Sequence, residues 1–194
     1  MFKKILFVAT LAIAAIGASA QTKIGVKGGL SFANAKYTAG TYSETYNSIV
    51  TPNFGLTVDF PGSKSFNIQS GLLYSGMGGK YTEDDWSATN NLNFLSIPVL
   101  AKFAIGSGFT GYAGPQLSFL LSAKSKYPGG TDDIKNEVKG SGVFGVFGLG
   151  YEINDKFNLF GEYTAGFSNL AKTTTNGEKW NANAFTIGVG VNLK

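Results

Sequence analysis

The chain has 194 residues, of which 16 are basic and 12 acidic, giving a formal net charge of +4, and it contains neither cysteine nor histidine. Without imidazole or thiol groups, Ser–His and Cys–His catalysis and the usual zinc sites are excluded, and a weak charge without a basic run argues against nucleic-acid binding. The 27 glycines, with 14% aromatic and 14% charged residues, are typical of an all-β protein with a packed or lipid-facing apolar surface.

The N-terminus has the features of a secretory signal peptide. Lys3 and Lys4 form a basic start, an apolar run follows, and Ala18-Ser19-Ala20 is a small-residue cleavage site. The apolar run is short for a membrane anchor, and no basic stop follows it. We therefore expect residues 1–20 to be cleaved as a signal peptide and residues 21–194 to form one exported β-barrel domain.

Alternation of apolar and polar residues with a period of two recurs eight times after residue 20, in segments about as long as a tilted transmembrane strand. The segments span 22–34, 50–60, 65–78, 92–104, 109–122, 141–153, 157–167 and 183–194. They are joined alternately by tight turns, at 61–64, 106–108 and 154–156, and by long polar stretches, at 35–49, 79–91, 123–140 and 168–182. This order predicts an all-β fold, an eight-stranded antiparallel up-and-down barrel.

The composition of the polar rows indicates which face is inside. A soluble barrel would place its apolar row inside and a charged row in water, whereas a membrane barrel reverses the two faces. Glycine, serine, threonine, asparagine and glutamine dominate the polar rows here, and charges are few. Small polar side chains suit the narrow lumen of an eight-stranded barrel. We therefore expect a transmembrane barrel of the outer membrane, with periplasmic short turns and extracellular long loops.

Five charged residues fall on the inward rows and predict a polar network in the lumen. These residues are Lys27, Asp59, Lys102, Glu152 and Glu162. Asp59, Lys102 and Glu152 each adjoin an aromatic residue beside a short turn, so we expect them at one level, with Lys27 and Glu162 further up. Buried charges of opposite sign are tolerated when they are paired. The alternative is that Asp59 and Glu152 are only wetted at the barrel mouth.

Aromatic residues flank each short turn at a spacing of six. The pairs are Phe60 and Phe66, Phe103 and Phe109, and Tyr151 and Phe157. Within a hairpin this spacing places the two rings near each other on the apolar face. Three such pairs at one end of a barrel predict a periplasmic aromatic girdle. The alternative is apolar closure at the bottom of a soluble core.

Pro98 lies in the middle of the segment 92–104 and cannot donate a hydrogen bond to a neighbouring strand. We expect a β-bulge to accommodate it.

The predicted loops carry little recognisable chemistry. The acidic stretches Glu83–Trp86 and Thr131–Glu137 could bind a divalent cation but are more typical of solvated loop tips. Tyr37, Tyr42 and Tyr46 suit either an adaptable contact surface or an upper girdle. We expect no catalytic residues, no cofactor and no metal site.

Four strand motifs resemble one family. "LNFLSIPVLAKF", "GYAGPQLSFLL", "GVFGLGYEI" and "LFGEYTAGFSNL" are similar to the PorT-like outer-membrane β-barrel family of Bacteroidota. The resemblance implies an eight-stranded outer-membrane barrel, in a family whose members mostly lack a defined function. The namesake is tied to type IX secretion and gliding, and nothing in this sequence supports transferring that role.

The functional hypothesis is a small non-enzymatic outer-membrane barrel with a side-chain-filled lumen, which stabilises the envelope or presents its loops. The alternatives are a narrow channel for ions or small solutes, and a soluble exported barrel that binds an apolar ligand. The expected partners are outer-membrane lipid and lipopolysaccharide, the outer-membrane assembly machinery and an unidentified loop partner, but not nucleic acid.

Overall fold

The computed structural model describes residues 22–63, 65–173 and 177–193. The predicted signal peptide, residues 1–20, lies outside these ranges. The described residues form ten strands: β1 Lys23–Ala39, β2 Tyr42–Thr45, β3 Ile49–Ser63, β4 Phe66–Glu83, β5 Trp86–Gly106, β6 Phe109–Tyr127, β7 Gly130–Asp133, β8 Ser141–Glu152, β9 Phe157–Gly166 and β10 Lys179–Asn192. Within these ranges, no helix is long and apolar enough to cross a membrane.

Eight of these strands close into a barrel. Neighbours pair antiparallel in the order β1-β3-β4-β5-β6-β8-β9-β10, and β10 pairs back with β1 from Gly25 opposite Asn192 to Thr38 opposite Lys179. Closure pairs the first and last strands of this ring within the described residues, so neither presents an open edge to lipid. The short strands β2 and β7 fold back on the ends of β1 and β6. The predicted eight-stranded up-and-down barrel is confirmed.

The strands are longer at the long-loop end than the sequence pattern indicates. Residues 79–91, expected to form a loop, instead continue the β4–β5 hairpin as far as the pair Glu83 and Trp86. The apolar alternation stops earlier because a strand beyond the bilayer can be wet on both faces and does not need an apolar row. Backbone pairing therefore extends past the point where the sequence signal ends.

The apolar rows face outward and the polar rows inward. Val50, Ile105 and Leu149 are 61%, 64% and 60% exposed, although they are large and apolar. The exposed row also includes Leu30, Phe54, Leu56, Leu72, Val99, Leu117, Phe147, Leu159, Phe185, Ile187 and Val189. An apolar surface this extensive requires an apolar solvent. The soluble-barrel alternative is therefore wrong.

Pro98 is accommodated without the expected bulge. The β4–β5 register is the same on both sides of it, from the pair Ser70 and Val99 to the pair Leu73 and Ser96, and only the intervening pairs are lost. The side chain of Ser70 donates to the Pro98 carbonyl at 2.8 Å. A gap in the ladder is sufficient because proline removes a donor but adds no residue to the strand.

Aspartate substitutions on adjacent residues test the assignment of the two faces. Leu56→Asp places a carboxylate on the exposed outer wall, whereas Thr57→Asp places one in the buried lumen, where Thr57 and Lys102 line the same cavity. A basic residue at the bilayer midplane costs about 2–4 kcal/mol and an acidic residue less. We expect Leu56→Asp, and likewise Val189→Asp, to reduce the fraction that folds into membranes, measured as the heat-modifiable gel band. Equal folding of Leu56→Asp and Thr57→Asp would show that the faces are reversed.

Candidate functional site

The barrel interior is the candidate site, and a buried ion pair lies in its lower half, towards the short turns. Lys27 Nζ lies 2.7 Å from Glu162 Oε2, with the two side chains 9% and 3% exposed. The Tyr112 hydroxyl donates to the same carboxylate oxygen at 3.2 Å. The Lys27 amine also lies 4.4 Å from the centre of the Phe160 ring, a cation–π contact. The single carboxylate therefore meets both an ammonium group and a hydroxyl donor.

A glycine between two strands allows this contact. Tyr112 on β6 is opposite Gly148 on β8, and Gly148 is opposite Glu162 on β9. A Cβ atom at Gly148 would overlap the Tyr112 ring. The tyrosine ring therefore crosses β8 over the missing side chain and reaches the carboxylate two strands away.

The other predicted lumen charges lie at the short-turn end. Asp59, Lys102 and Glu152 line one cavity of about 30 Å³, which is room for about two water molecules. Asp59 accepts hydrogen bonds from Gln69 Nε2 at 3.0 and 3.2 Å. Among the described residues the lumen ion pair is Lys27–Glu162, and neither Lys102 nor Glu152 forms one. The structure thus places the three residues around one cavity without an ion pair: Asp59 is buried and held by Gln69, whereas Lys102 and Glu152 are accessible to water and need no partner.

Hydroxyl groups occupy the middle of the lumen. Ser31 and Thr186 lie 2.7 Å apart across β1 and β10, and Ser96 and Ser118 lie 2.9 Å apart across β5 and β6. Gln116 Nε2 donates to Ser118 Oγ at 3.2 Å. Each pair is directly opposite across two adjacent strands, so these short side chains satisfy one another along the barrel wall.

An apolar cluster fills the lumen towards the long loops. Its buried members are Met77, Leu92, Phe94, Leu120, Ala123, Val138, Phe144, Leu170 and Ala182. The Phe94 and Phe144 rings meet edge to face with centres 5.9 Å apart. Two members, Val138 and Leu170, come from loops, and the loops are joined by backbone bonds such as Lys139 N to Leu170 O at 2.8 Å. We call this cluster the apolar plug.

Large residues also lie inside the barrel, where the polar rows predict only small side chains. Phe94, Tyr112, Phe144 and Phe160 are buried although they lie on the rows assigned to small polar side chains. Consecutive apolar residues were the available signal, as in "VFGVFG" from Val143, because two apolar neighbours on a strand must face opposite sides. A strict period-two pattern assigns only one of these two neighbours to the apolar row and overlooks the other.

The aromatic residues beside the short turns make contacts between hairpins. Phe66 and Phe103 are directly opposite across β4 and β5, with ring centres 5.1 Å apart. Phe109 and Tyr151 are opposite across β6 and β8, with centres 4.8 Å apart. Within each hairpin, by contrast, the register places another residue opposite each ring: Phe60 is opposite Ile68, Phe103 opposite Gly111 and Tyr151 opposite Leu159. The rings of one hairpin are thus diagonal neighbours, and the direct ring contacts are made between hairpins, since directly opposed side chains lie closer than diagonal ones.

The long-loop end carries a rim of aromatic and acidic side chains. Tyr46 packs against Tyr81 with ring centres 5.6 Å apart, and Tyr81 contacts Trp86 at 6.0 Å. The Tyr81 hydroxyl donates to Glu83 at 2.6 Å, and this bond raises the pKa of Tyr81 to about 12. Within the described ranges, no group of three or more acidic side chains is arranged to hold a metal ion.

A closed antiparallel barrel with an apolar outer wall and a polar or filled lumen defines a small transmembrane β-barrel of the bacterial outer membrane. The profile of the family described as "Outer membrane protein beta-barrel domain" matches residues 19–172, and the chain belongs to this family.

Solved structures show the same fold. Neisserial surface protein A aligns with a TM-score of 0.56 at 15% identity, over 88% of this chain and 97% of its own. Ail, the attachment invasion locus protein of Yersinia pestis, aligns with a TM-score of 0.50 at 13% identity, over 88% of this chain and 98% of its own. No curated protein matches the sequence.

Removing one partner of the buried ion pair tests its contribution to stability. Lys27→Met leaves the buried Glu162 carboxylate without its counter-charge, which typically costs roughly 3–5 kcal/mol. We expect a clear fall in the temperature at which the folded gel band is lost. Lys102→Met is the matched control and should have a smaller effect, because Lys102 borders the small cavity and pairs with no carboxylate of the described residues.

The double variant Lys27→Met/Glu162→Gln removes both charges and retains an acceptor for Tyr112, so it should recover much of the loss. If Lys27→Met and Lys102→Met lower the melting temperature equally, the ion pair does not contribute the proposed stability.

Proposed function

We propose that the protein is a non-enzymatic, closed outer-membrane barrel that stabilises the envelope or presents its loops to a partner. The observation that carries the proposal is the apolar plug. Its buried rings and loop residues lie above the hydroxyl layer and the Lys27–Glu162 pair. A solute entering from the short-turn end would lose its water at this apolar cluster, which compensates little of the lost hydration.

The lumen charges take a structural part in this proposal. Lys27 and Glu162 tie β1 to β9 across β10, the strand that closes the barrel. Asp59, Lys102 and Glu152 form a hydrated lower layer around the small cavity. A role of this kind needs neither cofactor nor metal. It also agrees with the composition, because the chain contains no histidine and no cysteine, two side chains that often serve as catalytic base and nucleophile.

The proposed orientation places the short turns in the periplasm and the long hairpins outside the cell, after export by a cleaved signal peptide at residues 1–20. The supports are the loop asymmetry and the aromatic residues beside the short turns, of which Phe103, Phe109 and Phe157 are about half exposed. Exposed rings at one end of an apolar wall suit a membrane interface. We therefore retain the periplasmic girdle as part of the proposal.

The finer family assignment rests on strand motifs. The segment containing Pro98, the segment containing Pro115 and the sequence Gly150-Tyr151-Glu152 support membership of the PorT-like group of Bacteroidota. The proposal includes no part in type IX secretion, since these motifs define strands and not a binding surface.

A narrow channel is the second candidate, favoured by the cavity that Lys102 lines at the short-turn end. Planar-bilayer recording decides between the two. We expect no steady conductance from the native protein, because the apolar plug interrupts any continuous water column. Large, steady conductance would contradict the closed lumen and establish the channel.

Truncating a plug ring tests which layer closes the lumen. Phe144→Ala removes an inward ring of the apolar plug, and Phe147→Ala, the control, removes an outward ring from the same strand. We expect brief openings or ion leak from Phe144→Ala only. Equal conductance of the two variants would show that the plug is not the barrier.

The absence of native cysteine allows a clean test of orientation. Thr131→Cys reports from exposed β7 at the long-loop end, and Lys156→Cys from the exposed turn between β8 and β9. On intact cells, a membrane-impermeant maleimide should label Thr131→Cys and not Lys156→Cys. The opposite pattern would reverse the proposed orientation, and release of the protein by osmotic shock would contradict membrane insertion.

A further inference from the structure

Three lysines lie on the outer wall of the barrel, beside the exposed apolar residues such as Leu117 and Leu121, which we call the apolar belt. Lys80 on β4 and Lys124 and Lys126 on β6 are all exposed. Their neighbours Gly79 and Ala123 are buried inside the barrel, so the three lysines belong to the outward rows. They therefore face whatever surrounds the barrel and not its lumen.

The register brings these lysines together. Lys80 is opposite Thr89, and Thr89 is opposite Lys126, so one strand separates the two lysines, about 10 Å at the usual strand spacing. Lys124 lies two residues from Lys126, about 7 Å along the same strand. A fourth amine lies beside them, because Lys135 Nζ donates to the Leu121 carbonyl at 2.7 Å. We call these four lysines the basic wall.

The basic wall lies directly above the end of the apolar belt. Leu121 is still 44% exposed on the outer face, and the next outward contact is polar, from Asn93 Nδ2 to Ser122 Oγ at 2.9 Å. Lys124 follows Leu121 by three residues, at most about 10 Å along a strand. Lys124 is therefore at the depth of the lipid headgroups, just outside the hydrocarbon core, and Lys80 and Lys126 lie about 7 Å further out along the strands. A lysine stem can also lie along apolar surface while its amine reaches a polar group.

Carboxylates leave most of this charge uncompensated. Asp133 lies opposite Lys124, but its Oδ1 atom accepts a hydrogen bond from the Lys135 backbone amide at 2.9 Å. Across residues 22–63, 65–173 and 177–193, none of the four lysines forms an ion pair with a carboxylate. The amines are thus available to an anion.

We propose that the basic wall binds the phosphate groups of a phosphorylated glycolipid in the surrounding outer leaflet. Several amines within about 10 Å of one another, at headgroup depth, match an anionic headgroup, and each lysine near such a surface adds attraction. Asn91, Asn93 and Thr89 lie between the lysine-bearing strands and offer amide and hydroxyl groups to sugar oxygens. The assignment to the outer leaflet rests on the orientation proposed above.

The test uses the mature protein in detergent and native mass spectrometry, with purified lipid A as the probe. Dephosphorylated lipid A and phosphatidylcholine are the comparison lipids. The variant Lys80→Gln/Lys124→Gln/Lys126→Gln should lose affinity for lipid A by about tenfold or more. A control variant with the same charge change, Lys23→Gln/Lys139→Gln/Lys156→Gln, should bind like the native protein, since these exposed lysines lie on the short-turn end or on a loop.

Equal losses in the two triple variants would reduce the effect to net charge and overturn the site. Equal binding of phosphorylated and dephosphorylated lipid A to the native protein would overturn the phosphate assignment, and full competition by millimolar inorganic phosphate would replace the lipid by the free anion. Because this measurement does not depend on membrane orientation, its failure leaves the closed-barrel proposal intact. Reversed cysteine labelling, in contrast, would overturn the assignment to the outer leaflet.

Discussion

The pairing of β1 with β10 is the interaction on which the rest of the structure depends. The bilayer core offers no water to satisfy backbone amides and carbonyls, so a sheet can cross it only when its first and last strands meet. Here they meet over fourteen successive residue pairs, from Gly25–Asn192 to Thr38–Lys179. Closure at eight strands fixes a narrow circumference, and a narrow circumference forces side chains from opposite walls into contact. The filled lumen is thus a consequence of closure.

Closure also explains the distribution of side-chain size. Glycine is needed where one inward side chain must cross a neighbouring strand, as Tyr112 does over Gly148 to reach Glu162. Towards the long loops, large inward side chains pack against one another instead, as the Phe94 and Phe144 rings do. The lumen therefore contains both large side chains and glycines. Its layers differ in chemistry: charged groups lie near the short turns, hydroxyl groups in the middle and apolar side chains below the loops.

The sequence predicts the barrel well because lipid imposes one simple rule on every outward residue. Leu56 and Val189 face lipid and had to be apolar, whereas their neighbours did not, so period-two alternation recurs in each of the eight strands.

The lumen has no such rule. Phe94 and Phe144 are as acceptable inside as Ser96 and Ser118, provided that the opposite wall accommodates them, and that condition involves residues far apart in sequence. The partner of Glu162 follows from the same long-range geometry. Position along the strand predicted that Lys27 faces inward, but only the register and stagger of the closed sheet determine which carboxylate it reaches.

The two ends of the barrel differ because different solvents act on them. At the short-turn end the strands stop soon after the apolar wall does, and the exposed rings of Phe103 and Phe109 lie almost on the turns. At the other end β4, β5 and β6 continue beyond the wall, past Leu121, into hairpins whose side chains are tyrosine, lysine, asparagine and threonine. Paired backbone in water gains little from the pairing itself, since water satisfies the same groups. The extended parts of these strands must therefore be stabilised by side-chain packing. The apolar plug provides this packing, because Leu92 and Ala123 of the extended parts belong to the same cluster as the loop residues Val138 and Leu170. The cluster that fills the upper lumen therefore also packs against the outer hairpins, and in the proposed function one set of side chains would both close the lumen and support the loops.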